Sequence, residues 1–330
     1  MASSPSIPIG KRRTPGLRRA LGSPYLFLVG TTVIWGSQAP VSKLALREIG
    51  PVQLLLSRVV VAGLTLLVIL AIQGQAGEVK RELRSRPKTM ALLGFLSFFC
   101  SSGCSSTALS LLPASVSSLL SNLSPLFVAL GVIVAARGRV RPGVVMGVLV
   151  GFVGLAAVIL GENPVALGRL ALNPVGVGLA CLGSLAWAIY IAVGQRAMSQ
   201  GNPMAVLVAS ICFGGAPWLA LSVANGELVQ LFSVSLSVWG MLLYVGIVCT
   251  GLTYGLWTAA LTRLSIASIA VFQYAIPFIA IILSAILLDE RITVPLVLGG
   301  IGIVAGIAIT QRASRGRSRP PERDAASSRA

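Results

Sequence analysis

The sequence predicts an all-α polytopic membrane protein, with ten transmembrane helices arranged as two inverted five-helix repeats. Three observations lead there: an apolar composition, ten apolar runs of spanning length, and one constant offset between the halves. Hydrophobic residues fill 55% of the 330 positions and charged residues only 11%. The mean hydropathy is +0.89. A soluble domain of this length needs more charge to stay dissolved. A hydrocarbon core of about 30 Å is crossed by about 20 apolar residues in a helix. Open sheets cannot satisfy their backbone in lipid, so the runs read as helices.

In chain order the runs fall at 25–46, 51–73, 89–110, 114–136, 142–161, 174–195, 203–224, 237–260, 265–288 and 294–311. They use nearly the whole chain and leave no room for a soluble catalytic domain. A shift of 152 residues carries Trp35 to Trp187, Pro51 to Pro203, Gly94 to Gly246 and Gly103 to Gly255. It also carries Ala108-Leu109 to Ala260-Leu261, Pro125 to Pro277, Arg139 to Arg291, Gly147 to Gly299 and Gly154 to Gly306. Tryptophan, proline and a lone loop arginine are rare enough that one ungapped register argues against coincidence. Five spans per copy is an odd number, so the two copies lie upside down relative to each other in the bilayer. That inverted symmetry is a hallmark of secondary transporters, whose halves rock about a midplane site.

The net charge of +17 is an orientation signal. With the N-terminus in the cytoplasm, the inner segments hold Lys11, Arg12, Arg13, Arg18, Arg19, Lys80, Arg81, Arg84, Arg86 and Lys88. They also hold Arg137, Arg139, Arg141, Arg196, Arg263 and six arginines after residue 311. The outer loops hold Arg47, Arg169 and Arg291, a ratio of 21 to 3. The positive-inside rule then places both termini in the cytoplasm of a multi-pass protein of the cell (inner) membrane. The basic excess meets the lipid bilayer, and nucleic acid is not an expected partner.

Residues 1–23 and 312–330 read as disordered basic tails, 24–161 and 174–311 as the repeats, and 162–173 as the external connector. The first span is too long for a signal peptide and lacks a small-residue cleavage site. Cys100, Cys104, Cys181, Cys212 and Cys249 all lie in apolar runs as small hydrophobes. The chain has no His, so neither a His-based metal site nor a Ser-His catalytic pair can form. No phosphate-binding glycine loop occurs, and no cofactor is expected. The fifth span of each repeat carries spaced glycines: Gly143, Gly147, Gly151 and Gly154, then Gly299, Gly302 and Gly306. Such spacing allows close helix approach, either inside the bundle or across a homodimer.

Several short motifs together resemble the drug/metabolite transporter superfamily of the EamA type, over residues 24–311. They are Trp35-Gly36-Ser37 before Lys43, and Pro51 with Arg58. The stretch Pro113-Ala114-Ser115-Val116 leads to Leu123-Ser124-Pro125-Leu126-Phe127. The second copy gives Ile276-Pro277-Phe278 and Leu287-Leu288-Asp289-Glu290-Arg291. Relatives usually also carry an acidic residue at the end of span four, where this chain has Gly138 opposite Glu290. The resemblance implies a central cavity lined by spans one, three, four, six, eight and nine. It also implies movement of a small organic metabolite, such as an amino acid, with export as the direction.

Lys43 and Arg58 are the charged side chains within the spans, and each is costly there unless it meets water, a partner or a ligand. Lys43 is about three residues from its boundary, within reach of the headgroups. Arg58 lies roughly 10 Å deep at a rise of 1.5 Å per residue. Neither has an acidic residue within the spans, which favours a substrate bearing a carboxylate. Trp35 and Trp187 are repeat mates, as are Asn122 and Tyr274, and Ser121 and Gln273. The last two pairs precede Pro125 and Pro277, which free carbonyls at matching depth. Gln38, Tyr190, Tyr254 and Trp257 complete the expected substrate-binding set with walls and donors. An alternative is a multidrug or cationic-compound exporter, and another is a non-transporting membrane scaffold or accessory subunit.

Overall fold

A computed structural model describes residues 24–135, 142–161, 172–253 and 266–315. The described residues are almost entirely helical. The first half contains α1 (Pro24–Ala45), α2 (Pro51–Ile72), α3 (Gly77–Ser85) and α4 (Pro87–Leu111), then α5 (Ala114–Ser121), α6 (Ser124–Ala135) and α7 (Pro142–Gly161). The second contains α8 (Pro174–Ser199), α9 (Pro203–Ala224), α10 (Glu227–Gln230), α11 (Leu236–Leu252), α12 (Ile266–Leu288) and α13 (Val294–Arg315). Five helices are each long and apolar enough to cross a bilayer: α2, α4, α8, α9 and α13 up to Ala313. The bent unit of Glu227–Ser233 with Leu236–Leu252 makes a sixth, and Ala114–Val128, Pro142–Val158 and Ala275–Leu288 are shorter apolar stretches.

Local chemistry starts these helices. Proline occupies the first turn of α2, α8 and α9, where its missing N–H costs nothing. The Asn173 and Asn202 side chains accept from the free N–H groups of Val175 and Gly176, and of Met204 and Ala205. The basic stretch between spans two and three, which the sequence reads as a loop, contains α3. Its Val79 and Glu82 are buried while Lys80, Arg81 and Arg84 are exposed. Glu82 is paired with Arg86, which also donates to Ala197 O and Gln200 Oε1 at 3.3 Å each.

The contacts obey the repeat. α1 packs on α12, and the exchanged pair α8 packs on α5 and α6. α2 packs on α11, and the exchanged pair α9 packs on α4. The mates α7 and α13 pack on each other, as do α2 and α9. The seam between α7 and α13 fixes their relative direction. Gly143 faces Ala313, Gly147 faces Thr310, and Gly154 faces Gly299 and Ile303, so one helix rises as the other falls. The mates are antiparallel, as inversion requires. A Cβ on Gly154 would lie 2.6 Å from the Gly299 carbonyl oxygen, so only glycine permits this approach. The glycine stripes are thus consumed by internal packing, and they no longer motivate a dimer.

Two departures from regular helix matter for the site. The third span of each repeat contains a π-helical stretch, Phe95–Ser101 in α4 and Tyr244–Leu252 in α11, at overlapping repeat positions. Ser102 Oγ donates to Ser97 O at 2.9 Å, and Thr250 Oγ1 to Val245 O at 3.0 Å, each five residues back. Such π-bulges often mark functional sites. The fourth span breaks into α5 and α6 at Asn122-Leu123. Its mate does not break: α12 runs through Pro277. The sequence reads both prolines as freeing carbonyls at matching depth within continuous spans, but only Pro277 lies inside a helix. Pro125 sits in the first turn of α6, after Asn122 has left helical geometry at φ −93°, ψ 13°. The Asn122 amide donates to Ser118 O at 2.7 Å at this helix end, and the second repeat has Tyr274 in its place.

Candidate functional site

A cavity of about 280 Å³ opens where the first repeat's helices converge. Trp35, Gln38, Ala39 and Ser42 face it from α1, and Leu54 and Arg58 from α2. Ser101, Ser105, Ser106 and Leu109 come from α4, and Ser117, Ser118, Ser121 and Asn122 from α5 and the break behind it. The second repeat adds Trp187 from α8 and Ile276 from α12. Among the described residues, two of the sixteen in the wall come from that repeat. We call the face where α1 begins and α13 ends the tail face, and the opposite one the distal face. Trp35, Ser101 and Trp187 lie near mid-helix and Asn122 at the break in mid-span, while Ser42, Leu54, Leu109 and Ser117 lie within about one turn of the distal ends.

The polar groups here are fixed by their neighbours. Arg58 Nε donates to Thr250 Oγ1 at 3.3 Å, which places the guanidinium between α2 and the π stretch of α11. Trp35 Nε1 donates to Cys249 O at 3.0 Å in that same stretch. The π geometry of α11 therefore holds a wall aromatic and the wall cation together. Trp187 stacks on Tyr190 with ring centroids 4.8 Å apart and 28° between planes. Asn122 Nδ2 donates to Ser118 O at 2.7 Å, and Ser184 Oγ to Leu120 O at 2.6 Å, so side chains take up carbonyls near the break.

Of the residues singled out from sequence, Trp35, Gln38, Arg58, Asn122 and Trp187 meet at this cavity. Tyr190 is buried behind Trp187 and does not form the wall. Tyr254 and Trp257 lie outside the described residues, as do the side chains of Gln273 and Tyr274. Lys43 is not in the wall. Its ammonium donates to Leu109 O at 2.6 Å, Ser110 O at 3.2 Å and Leu112 O at 2.8 Å. These carbonyls end α4 and have no helical partner, so a cation satisfies them. The wall also includes span two, which the resemblance did not imply, and no described residue of span eight.

Apart from Ser121, which the sequence pairs with Gln273, the wall serines were missed. Six of the seven wall serines lie on the α4–α5 hairpin, spaced so that Ser101 and Ser105 share one helix face and Ser117, Ser118 and Ser121 another. A run of hydroxyls at such spacing in two apolar spans was a readable signal. No group of three or more His, Cys, Asp or Glu able to hold a metal occurs among the described residues. Chemically, the described wall offers one cation, many small hydroxyls, two amides and two indoles. Such a set can bind and desolvate a small polar molecule with an anionic group.

Comparison with known proteins agrees with this architecture. The EamA-like transporter family model matches twice, at residues 22–160 and 174–312. YyaM, an uncharacterized transporter of Bacillus subtilis (strain 168), is 21% identical over 283 residues, covering 86% of this chain and 92% of its own. An uncharacterized transporter of Archaeoglobus fulgidus is 25% identical over 299 residues, covering 87% of this chain and 98% of its own. A crystal structure of another protein shares the fold with a TM-score of 0.59 at 23% identity, covering 89% of this chain and 99% of that one. The chain is therefore a multi-pass membrane protein that belongs to the EamA-like transporter family.

Proposed function

We propose that this protein is a secondary transporter that carries a small carboxylate-bearing metabolite, an amino acid or a related compound, by alternating access. Arg58 carries this reading: it lines a cavity of about 280 Å³ whose described wall contains no Asp or Glu. At about 30 Å³ per water, that space holds roughly nine waters or one molecule of amino-acid size. A planar guanidinium suits a carboxylate, which it can grip with two parallel N–H groups. The surrounding serines and Asn122 supply neutral donors and acceptors for the rest of the molecule. The cation and the small volume both disfavour a multidrug or cationic-compound exporter. A scaffold or accessory subunit needs no polar midplane cavity. The family resemblance supports export.

The 21-to-3 cation asymmetry supports the inner membrane, with the tail face in the cytoplasm. Reporter fusions after residues 85 and 165 should then read cytoplasmic and external. With no histidine in the chain and no carboxylate in the described wall, exchange or facilitated diffusion fits better than proton relay. The test is counterflow in reconstituted vesicles with a panel of radiolabelled amino acids and 2-oxo acids. Arg58→Ala should lower transport at least tenfold while the protein stays monodisperse, and Arg58→Lys should recover part of it. Normal transport by Arg58→Ala sinks the reading.

A further inference from the structure

The hairpin that carries most of the polar wall is held at its tip by two opposite charges from elsewhere in the chain. Lys43, near the end of α1, donates to three carbonyls at the C-terminus of α4, at 2.6, 3.2 and 2.8 Å. Glu290, just beyond α12, accepts from Ala114 N at 2.6 Å, from Ser115 N at 3.0 Å and from Ser115 Oγ at 2.6 Å, at the N-terminus of α5. Asp289 adopts φ 57°, the left-handed conformation that ends α12 and turns the chain into Glu290. Each charge matches the helix end it meets: a cation on exposed carbonyls, an anion on exposed N–H groups. Six charge-assisted hydrogen bonds thus fasten one turn, Leu112-Pro113, to the distal ends of α1 and α12.

α1 and α12 form a rigid base for this fastening. They run in parallel and in close contact, with Gly36 against Ile276 and Ile279. The hairpin arms carry Ser105, Ser106 and Leu109 on one side and Ser117, Ser118 and Ser121 on the other. The hairpin cannot swing from α1 and α12 at the distal face without breaking those six bonds. The 152 shift carries Lys43 to Gln195 and Glu290 to Gly138, so the sequence puts no charge at either counterpart position for the tail face. At the tail face the described charge contact is a different one, Arg86 with Glu82 and with Ala197 O at the end of α8.

We propose that Lys43 and Glu290 are an electrostatic latch that closes the distal end of the cavity, and that transport requires its release. The latch rests on the alternating-access reading given above. Release lets the hairpin swing from α1 and α12 and exposes the wall to the distal side, and relatching closes that side again. The two residues act by positioning the hairpin and do not touch the substrate.

Accessibility tests this without knowing the substrate. Ser117→Cys places a thiol in the wall, and mass spectrometry of its peptide reads alkylation by a membrane-impermeant maleimide with the native cysteines left in place. Right-side-out and inside-out vesicles report the two faces separately. Lys43→Gln and Glu290→Gln should each raise the labelling rate from the distal side about tenfold, with no rise from the tail side. The swapped double variant Lys43→Glu/Glu290→Lys separates a latch from a simple ion pair. It restores attraction between the two residues but presents each helix end with the wrong sign, so labelling should stay high. Wild-type labelling in the single variants, or its return in the swap, overturns the latch. A thiol unlabelled from both faces in every background overturns the transport reading instead. Thermal melting of each variant in detergent confirms that the labelled protein is folded.

Discussion

Arg58 and Ser210 occupy the same place in the two repeats, and they do opposite things. Arg58 faces the cavity and reaches Thr250. Ser210 is fully buried, with its hydroxyl on Val206 O at 2.7 Å in the core beside Met90. The wall positions Ser117 and Ser118 correspond to Ile269 and Ala270, and Asn122 to Tyr274. The repeats share a helical framework, which is why their contacts interchange. Among the described residues their chemistry differs: the first supplies most of the polar wall, and the second supplies Trp187, Ile276 and the carboxylate that fastens the hairpin. Twofold packing therefore constrains where the helices run, not what they present.

The shared framework is the easiest part to break. Gly154 lies where α7 and α13 touch backbone to backbone, and any side chain there meets the Gly299 carbonyl. Gly154→Leu should cost at least about 3 kcal/mol, near the top of the overpacking range, and abolish monodisperse protein in size-exclusion chromatography. Gly178→Leu is the control, because a Cβ there meets nothing within 4 Å. It should be neutral or gain up to about 1 kcal/mol from better helix propensity. Equal damage from both would mean the seam is not what joins the repeats.

The prolines sharpen the comparison. Pro277 sits inside α12, where it forfeits a hydrogen bond, whereas Pro125 sits in the first turn of α6, where none is lost. Pro277→Ala should stabilise by about 1–3 kcal/mol, and Pro125→Ala should change stability little, as read by melting temperature. Membrane helices re-satisfy such carbonyls, which sets the lower end of that range. Ser118→Ala, which writes the second repeat's residue into the first, should lower transport a few-fold and leave melting unchanged. A loss below twofold would remove Ser118 from substrate contact.

Much of this was legible in the sequence because it depends on composition and period. Span positions follow from apolar length, and the inversion follows from the 152 register and an odd span count. Trp35, Arg58, Asn122 and Trp187, which line one cavity, stood out in the sequence because a polar or aromatic residue at membrane depth is costly or rare. The partners of Lys43 were not legible because a one-dimensional reading sees its distance from the boundary but not the carbonyls of α4, 66 to 69 residues away. The role of Glu290 was hidden for the same reason, since its partners are 175 and 176 residues away. The break at Asn122 without one at Tyr274 was hidden because both positions precede a proline by three residues. The π stretches have no composition of their own. They become visible only when carbonyl partners five residues back can be counted.

The smallest expected effect lies where the two repeats end their fourth spans differently. The second repeat closes α12 with Asp289-Glu290, while the matching positions in the first are Arg137 and Gly138. Asp289 holds φ 57°, a conformation that costs ordinary residues roughly 1–2 kcal/mol and Asp less. Asp289→Gly removes the native strain but loosens the unfolded chain, so the two changes offset to within about 0.5 kcal/mol. Asp289→Val keeps the demand for a left-handed residue with a side chain that resists it, and should cost about 1–2 kcal/mol. Melting temperature in detergent reads both. If valine is tolerated as well as glycine, the turn can end α12 in another way, and the geometry that delivers Glu290 to the hairpin is not tied to this residue. If valine alone lowers the melting temperature, the single positive φ at Asp289 fixes the carboxylate's approach, and the repeats differ here in backbone as well as in charge.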